Sequence, residues 1–234
     1  MTPSPIATMF DRIAPTYDTL NHLLSFQTDR RWRRKAARWA AEGSPSALLD
    51  VATGTADLAI ALARRLPSAH ITGIDLSEKM VALGREKVEQ KHLEHQVKLL
   101  QGDVARLPFP DEAFDAVTVA FGVRNFEDLE QGLSEIHRVT RPEGRVTILE
   151  FSLPERFPIK QLYHFYFHRI LPKIGRWVSH DQEAYRYLPR SVEQFPPPET
   201  FEHLLSAQGM EPIRRQRLNL GIATLYQVKK RIVQ

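Results

Sequence analysis

Residues 48–57 read Leu48-Leu49-Asp50-Val51-Ala52-Thr53-Gly54-Thr55-Ala56-Asp57, a short apolar run that ends in an acid and passes into a turn of small residues. Small side chains at such a turn let the backbone approach a ligand at the carboxyl end of a parallel sheet. A nicotinamide-binding turn wants glycines across this stretch. Ala52 and Ala56 stand at two of those places, which weakens a dehydrogenase reading.

Outward from this turn, short apolar runs alternate with helical patterns, the signature of a parallel sheet wound with helices. Strands are predicted over 47–51, 71–75, 97–101, 115–120 and 144–151, with helices over 58–66, 79–91 and 128–139. In the last helix Leu129, Leu133 and Ile136 have core spacing, and Pro142 with Gly144 marks its exit. Past residue 151 the alternation stops. Ile159, Leu162, Tyr163, Tyr166, Phe167, Ile170 and Leu171 make a helical stripe over 159–171, which either packs on the main domain or lines a pocket for a long apolar tail. A last helix is predicted over 199–207, ending at Gly209, and the runs 213–218 and 222–228 around Gly221 predict an antiparallel hairpin closing the sheet.

Upstream, residues 1–8 carry two prolines and read as a loose leader, with order beginning near Met9. Pro15 is expected to divide the helical pattern of Met9, Phe10, Ile13, Tyr17 and Leu20 into two pieces. Thr28 is expected to cap a helix that buries Trp32, Ala36, Trp39 and Ala40 and turns its arginines to other faces. The chain is therefore expected to be one α/β domain over 1–234. It divides into an N-terminal helical extension (1–46), a cofactor-binding core (47–152), an aromatic-rich helical insertion (153–198) and a C-terminal helix and hairpin (199–234).

Hydrophobic residues make up 42% of the 234 and charged residues 26%, enough apolar material for a core and far from a disordered composition. The absence of cysteine removes disulfides, thiolate metal sites and cysteine nucleophiles. The nine histidines include no His-Glu-x-x-His spacing, and no metal is assigned. No run approaches the ~20 apolar residues of a membrane span, and Met1 to Pro5 lacks signal-peptide character, so a cytoplasmic protein is expected. The formal charge of +4 gathers in Arg30, Arg31, Arg33, Arg34, Lys35 and Arg38, in Arg214, Arg215 and Arg217, and at Lys229, Lys230 and Arg231. These are either solvated element faces or a patch for an anionic surface.

Two more strand ends carry acids. Gly73-Ile74-Asp75 puts a carboxylate where it can accept ribose hydroxyls of an adenosine ligand, a feature that nicotinamide folds share. Gln101-Gly102-Asp103-Val104 adds a carboxylate placed for an adenine amino group and a backbone N–H for a ring nitrogen. Each aspartate taken alone could instead cap the helix that follows. Together, Asp50, Gly54, Thr55, Asp75, Asp103 and Val104 resemble the cofactor site of the class I methyltransferases over residues 47–151. That resemblance implies a Rossmann-like, mostly parallel sheet with helices on both faces, and S-adenosyl-L-methionine as cofactor.

Longer segments narrow the resemblance. Tyr17-Asp18-Thr19-Leu20-Asn21 with Leu24-Ser25 and Arg31-Trp32, Phe121-Gly122-Val123-Arg124-Asn125, Arg138-Val139 through Glu150-Phe151-Ser152, and Tyr185-Arg186-Tyr187-Leu188-Pro189-Arg190-Ser191 are similar to the ubiquinone and menaquinone biosynthesis C-methyltransferases. Leu20 stands where many members have Met, Asp29 where one branch has His, and Glu143 where Gly is common. The missing His favours the menaquinone branch.

The resemblance implies C-methylation of a polyprenyl quinol, demethylmenaquinol to menaquinol, at a ring carbon beside a hydroxyl. The alternative is another small acceptor or RNA. No Asn/Asp-Pro-Pro-Tyr run is present and no nucleic-acid partner is expected. Arg124, Asn125 and Tyr17 are the catalytic candidates. A guanidinium stays protonated, so Arg124 is expected to lower the hydroxyl's pKa as a fixed positive charge, with Asn125 and Tyr17 orienting it. His164, Asp18 or an ordered water would serve as base. A lipid-borne substrate also implies transient, peripheral contact with the inner face of the cell membrane.

Overall fold

Leu48 and Leu49 point to opposite faces of one strand, and both are fully buried, which requires layers on both sides of the sheet. The computed structural model, which describes residues 4–25, 27–165, 169 and 182–231, provides them. The strands are β1 (Ala47–Val51), β2 (His70–Asp75), β3 (Val97–Gln101), β4 (Phe114–Ala120), β5 (Thr140–Phe151), β6 (Met210–Leu218) and β7 (Ala223–Lys230). They form one sheet in the order β3-β2-β1-β4-β5-β7-β6. β1 to β5 pair in parallel, and β7 runs antiparallel between β5 and β6.

The helices are α1 (Pro5–Leu24), α2 (Thr28–Ala40), α3 (Asp57–Ala63), α4 (Glu78–Glu89), α5 (Leu129–Val139), α6 (Ile159–Phe165), α7 (Gln182–Gln194) and α8 (Pro198–Ala207). One core cluster joins Leu48, Ile71 and Leu149 to Trp32, Ala36, Leu62 and Val81 from α2, α3 and α4. The other joins Leu49, Ile74, Val117 and Ile148 to Leu133 and Ile136 of α5 and Phe201 and Leu205 of α8. β1 lies between β2 and β4, and the chain leaves these strands for helices on opposite faces, so their carboxyl ends open a crevice there.

Several expectations are corrected. Residues 4–8 are not a loose leader: helix α1 starts at Pro5, whose fixed φ suits a first turn, while Ser4 accepts from the Ile6 N–H through its Oγ (3.2 Å) and from the Thr8 N–H through its carbonyl (3.0 Å). Nor does Pro15 split the helix, because each half is tied to the main domain. Asp11 accepts from Ser77 Oγ and the Lys79 N–H, and Asp18 accepts from Thr55 Oγ1 and Lys87. Thr28 is the first residue of α2 rather than its cap; Gln27 holds the cap position with φ 58° and no side-chain bond. Strand β5 begins at Thr140, not Gly144, since Arg141 to Gly144 bulge out of register between the pairs Phe114–Thr140 and Ala116–Arg145. Arg33 turns inward, unlike the exposed Arg30, Arg31, Arg34 and Arg38 around it.

The aromatic stripe is described only to Phe165, so Tyr166, Phe167, Ile170 and Leu171 lie outside the described residues. Of its earlier positions Tyr163 is buried and Leu162 exposed; Phe165, outside the stripe, is also exposed. No described helix is long and apolar enough to cross a membrane.

Lys87 ties three elements together, with Nζ 2.8 Å from Asp18 Oδ2 of α1, 2.5 Å from Asp57 Oδ1 of α3, and 3.1 Å from Thr55 Oγ1. Its pairs are partly solvated, so their loss should act locally. Lys87→Met is expected to speed hydrogen exchange of α1 amides about 10-fold and leave β1 and β4 unchanged. Equal acceleration in the sheet, or none in α1, would remove Lys87 as the fastening of that helix.

Candidate active site

The turn after β1 folds back through left-handed residues, Ala52 (φ 51°), Gly54 (φ 55°) and Ala56 (φ 67°). Two of the three are alanines, so the turn takes conformations that favour glycine at some backbone cost. Asp75 secures it: Oδ2 accepts from the Gly54 N–H (2.8 Å) and Oδ1 from the Ser77 N–H (2.9 Å). Beside this turn lies a cleft of about 830 Å³ lined by Val51, Gly54, Asp75, Met80, Asp103 and Val104 among others, with Ile6, Phe10 and Tyr17 of α1 over it. At the end of β3, a Cβ on Gly102 would come within 2.6 Å of Ile74 Cδ1, so the chain stays close to the sheet there.

The cleft fits S-adenosylmethionine by its acceptors and walls. Asp75 lines it with a carboxylate that accepts from the Gly54, Ser77 and Leu76 N–H groups and has room to accept from a hydroxyl as well, and Ile74, Leu76, Met80 and Val104 offer apolar surface for a flat base next to the Asp103 carboxylate. Asp103 also accepts from the Ala105 N–H (2.9 Å), so it caps the short turn 104–106 as well as lining the cleft. Thr55 spends its hydroxyl on Asp18 and lines a smaller cavity with Asp50, Thr53, Gly54 and Arg33.

A second cavity, about 740 Å³, lies against the first and shares Phe10, Tyr17 and Phe121 with it. Its further walls are Met9, Ile13, Phe151 and Leu188, and its polar groups include Asp29, Arg33, Arg124 and Tyr187. Arg124, in the turn after β4, donates through Nη1 to Glu150 Oε1 (2.7 Å) and to the Phe121 carbonyl (2.6 Å). Glu150 is fully buried, and the Arg124 side chain is 6% exposed. The fixed positive charge expected at Arg124 is therefore one half of a neutral pair, and the Arg124 Nε has no hydrogen-bond partner. Asn125 lines the first cavity, and its Oδ1 accepts from Tyr187 OH (2.9 Å) of the second.

Tyr17 belongs to both cavities and to the smaller one. Burial pushes its phenol pKa up, against the opposing pull of Arg33, Arg124 and a hydrogen bond from Asn21. Burial likewise raises Tyr187. Both phenols stay protonated, and Tyr187 donates to Asn125 Oδ1. Asp18 is withdrawn as a base, because its carboxylate is taken up by Thr55 and Lys87 and lines neither large cavity. The His164 side chain lies outside what is described.

Sequence reasoning missed Arg33, Asp29, Glu150 and Tyr187 as site residues, although all four stood in or beside the motif segments. Glu150 carried the readable signal, an acid set among Ile148, Leu149 and Phe151 near the end of a strand. Asp50 sits lower than expected. It is 1% exposed, and its oxygens accept from Thr53 Oγ1 (2.7 Å) and Thr118 Oγ1 (2.6 Å).

A family model described as "ubiE/COQ5 methyltransferase family" matches residues 2–230. Among curated proteins, the demethylmenaquinone methyltransferase of Bacteroides fragilis is 45% identical over 222 residues, 95% of this chain and 91% of that one. That of Thermus thermophilus is 48% identical over 218 residues, 93% and 98% of the two chains. The ubiquinone/menaquinone biosynthesis C-methyltransferase UbiE of Geobacter sulfurreducens is 48% identical over 229 residues, 96% and 88% of the two. Solved structures share the fold at low identity: the [4+2]-cyclase SpnF aligns with a TM-score of 0.75 at 17% identity over 99% of this chain and 97% of that one. An S-adenosylmethionine-dependent methyltransferase from Aquifex aeolicus aligns at 0.56 and 20% identity over 79% and 81%.

Burial pushes the Asp50 carboxyl up to about 6, with Thr118 and Thr53 partly offsetting it. The folded protein thus holds this proton more tightly than the unfolded chain does. The group's contribution is most favourable below the ordinary carboxyl pKa and is lost as pH rises toward 6. Asp50→Asn should remove that loss, gaining about 2–3 kcal/mol on wild type between pH 4 and pH 7 in urea denaturation. A gap between the two proteins that stays constant with pH would mean Asp50 titrates normally.

Proposed function

The chain belongs to the ubiE/COQ5 methyltransferase family, and from that premise we infer that it catalyses S-adenosylmethionine-dependent C-methylation in quinone biosynthesis, demethylmenaquinol to menaquinol. The observation that carries this reading is the contact of two cavities at Phe10, Tyr17 and Phe121, one bearing the strand-end carboxylates Asp75 and Asp103 and one aromatic with Arg124 in its wall.

S-adenosylmethionine supplies an electrophilic methyl group on a sulfonium. In our reading Asp75, Asp103, the Val104 N–H and the Gly54–Thr55 turn hold it, and Asp50 keeps that turn in place through Thr53. Helix α1 closes over both cavities and keeps water from the transfer path. The acceptor carbon becomes nucleophilic as the neighbouring hydroxyl passes its proton to water, and once the carbon carries the methyl group its ring hydrogen leaves as a proton to restore the aromatic ring. Arg124 offers its remaining N–H donors to that oxygen. Because Glu150 neutralises the charge, the benefit comes from preorganised donors more than from a net positive field. Asn125 and Tyr17 orient the same oxygen.

Incubation with labelled S-adenosylmethionine and reduced demethylmenaquinone should put label in the quinone extract; absence of label would overturn the reading. Arg124→Ala alone would leave Glu150 charged and unpaired in the interior, at a cost of about 3–5 kcal/mol. The informative variants are Arg124→Lys and the neutral pair Arg124→Gln with Glu150→Gln. The double variant should lose turnover roughly 10²-fold or more while its cofactor affinity stays near wild type, and the lysine variant should recover part of the rate. A defect confined to cofactor binding would displace Arg124 from the reaction.

We further propose reversible contact with anionic membrane. Exposed Leu153, Phe157, Leu162, Phe165 and Leu220 supply apolar side chains, and Arg30, Arg31, Arg34 and Arg38 of α2 supply charge. Vesicles rich in anionic lipid should float the protein at low ionic strength and release it in salt, and Phe157→Ser with Phe165→Ser should weaken the binding. Protein that stays at the bottom of the gradient at low salt would exclude this contact.

A further inference from the structure

The second cavity holds more charge than a single phenolate needs. Arg33 of α2 is buried and its Nη1 lies 2.7 Å from Asp29 Oδ2. Asp29 is 3% exposed and also accepts from Ser25 Oγ at 2.6 Å. The Arg33 guanidinium carbon sits 5.0 Å from the centre of the Phe121 ring, and that of Arg124 sits 5.2 Å from the centre of the Phe151 ring. The two rings are themselves in contact, with centres 4.5 Å apart and planes tilted by 31°. Two arginine–carboxylate pairs thus lie against one pair of aromatic rings; Arg33, Asp29 and Arg124 line one cavity, while Glu150 is fully buried against Arg124.

Buried ion pairs stabilise a fold no better than apolar residues of the same size, so stability alone does not account for a second one here. Each pair is neutral overall yet rich in donors and acceptors. A pair of this kind suits a neutral hydroxyl, to which the guanidinium donates and from which the carboxylate accepts. A quinol ring carries two such hydroxyls, and Arg124 accounts for one.

We propose that Arg33, held by Asp29, is a specificity-determining residue that recognises the second hydroxyl of the quinol ring, the one remote from the acceptor carbon. The proposal rests on the quinol reading above. The remote oxygen is meta to the acceptor carbon and cannot feed electron density to it by resonance. Its recognition therefore acts on binding and on choice of acceptor, not on the rate of methyl transfer. Arg33 complements Arg124: one arginine serves the chemistry and the other measures the ring.

The test compares demethylmenaquinol with a prenylated naphthol that keeps only the hydroxyl beside the acceptor carbon. Wild type should prefer the diol by about 10²-fold or more in kcat/KM, because the naphthol leaves buried polar groups without a partner. Arg33→Lys keeps the charge and loses the planar fork, and should narrow that preference at least ~10-fold through a higher KM for the diol, with kcat nearly unchanged. Arg33→Gln with Asp29→Asn, which strands no charge, should behave alike if the lysine variant folds poorly. Wild type using both acceptors equally well, or variants that keep the full preference, would overturn the proposal. A variant that loses only S-adenosylmethionine affinity would also overturn it and assign Arg33 to the smaller cavity at Gly54. Transfer to neither acceptor by wild type would instead bring down the quinol reading itself.

Discussion

Everything in this protein hangs on the double parallel pairing of β1, with β2 on one side and β4 on the other. Parallel neighbours need crossovers, and crossovers on opposite faces cannot close over the strand ends they leave. The opening is filled by a tight turn, Ala52 to Ala56, whose N–H at Gly54 is bound by Asp75 from the neighbouring strand. Asp50, below that turn, accepts from hydroxyls on either side, so the two central strands and the turn form one hydrogen-bonded unit. The cost is two carboxylates held in a desolvated place, both pushed toward the protonated form by burial. A site that must grip hydroxyls and backbone with carboxylate oxygens cannot avoid that cost.

Charge in the second cavity is handled differently. Asp29 with Arg33, and Glu150 with Arg124, are paired within 2.7 Å, and each guanidinium lies over an aromatic ring. Pairing keeps the interior electrically balanced, while the rings replace the water that a guanidinium would otherwise hold. The result is an apolar cavity with fixed donors, which suits a flat aromatic acceptor that arrives uncharged and acquires charge only as it reacts.

Helix α1 completes both cavities from above. Its own sequence contains a proline that would ordinarily end it, and its continuity rests on contacts with α3 and α4 through Asp11, Asp18 and Lys87. Those contacts are ion pairs and hydroxyl bonds at a partly solvated surface, weaker per contact than the sheet core. An element fastened this way opens at a lower free-energy cost than the sheet it covers.

Much of the architecture was readable in advance, because burial on both faces of a parallel sheet forces continuous apolar runs and because β1 to β4 are bounded by turns of recognisable composition. The carboxylates at strand ends were readable for the same reason: polar residues at the end of an apolar run stand out. Asp75 and Asp103 do line the cleft, while Asp50 lines only the smaller cavity beside it, a difference that no pattern encodes. Local rules misjudged residues whose environment is supplied from far along the chain. Pro15 breaks a helix unless distant partners hold its halves, and Arg33 in a run of arginines reads as solvated unless Asp29, Phe121 and the cavity wall are brought to it. The sequence by itself determined the fold class, the tight turn after β1 and the family, since these depend on periodicity and on side chains near one another in the chain. Only the tertiary structure decided which charges are buried and paired, because a charge enters the interior when its partner comes within bonding distance, and Glu150 reaches Arg124 across 26 residues.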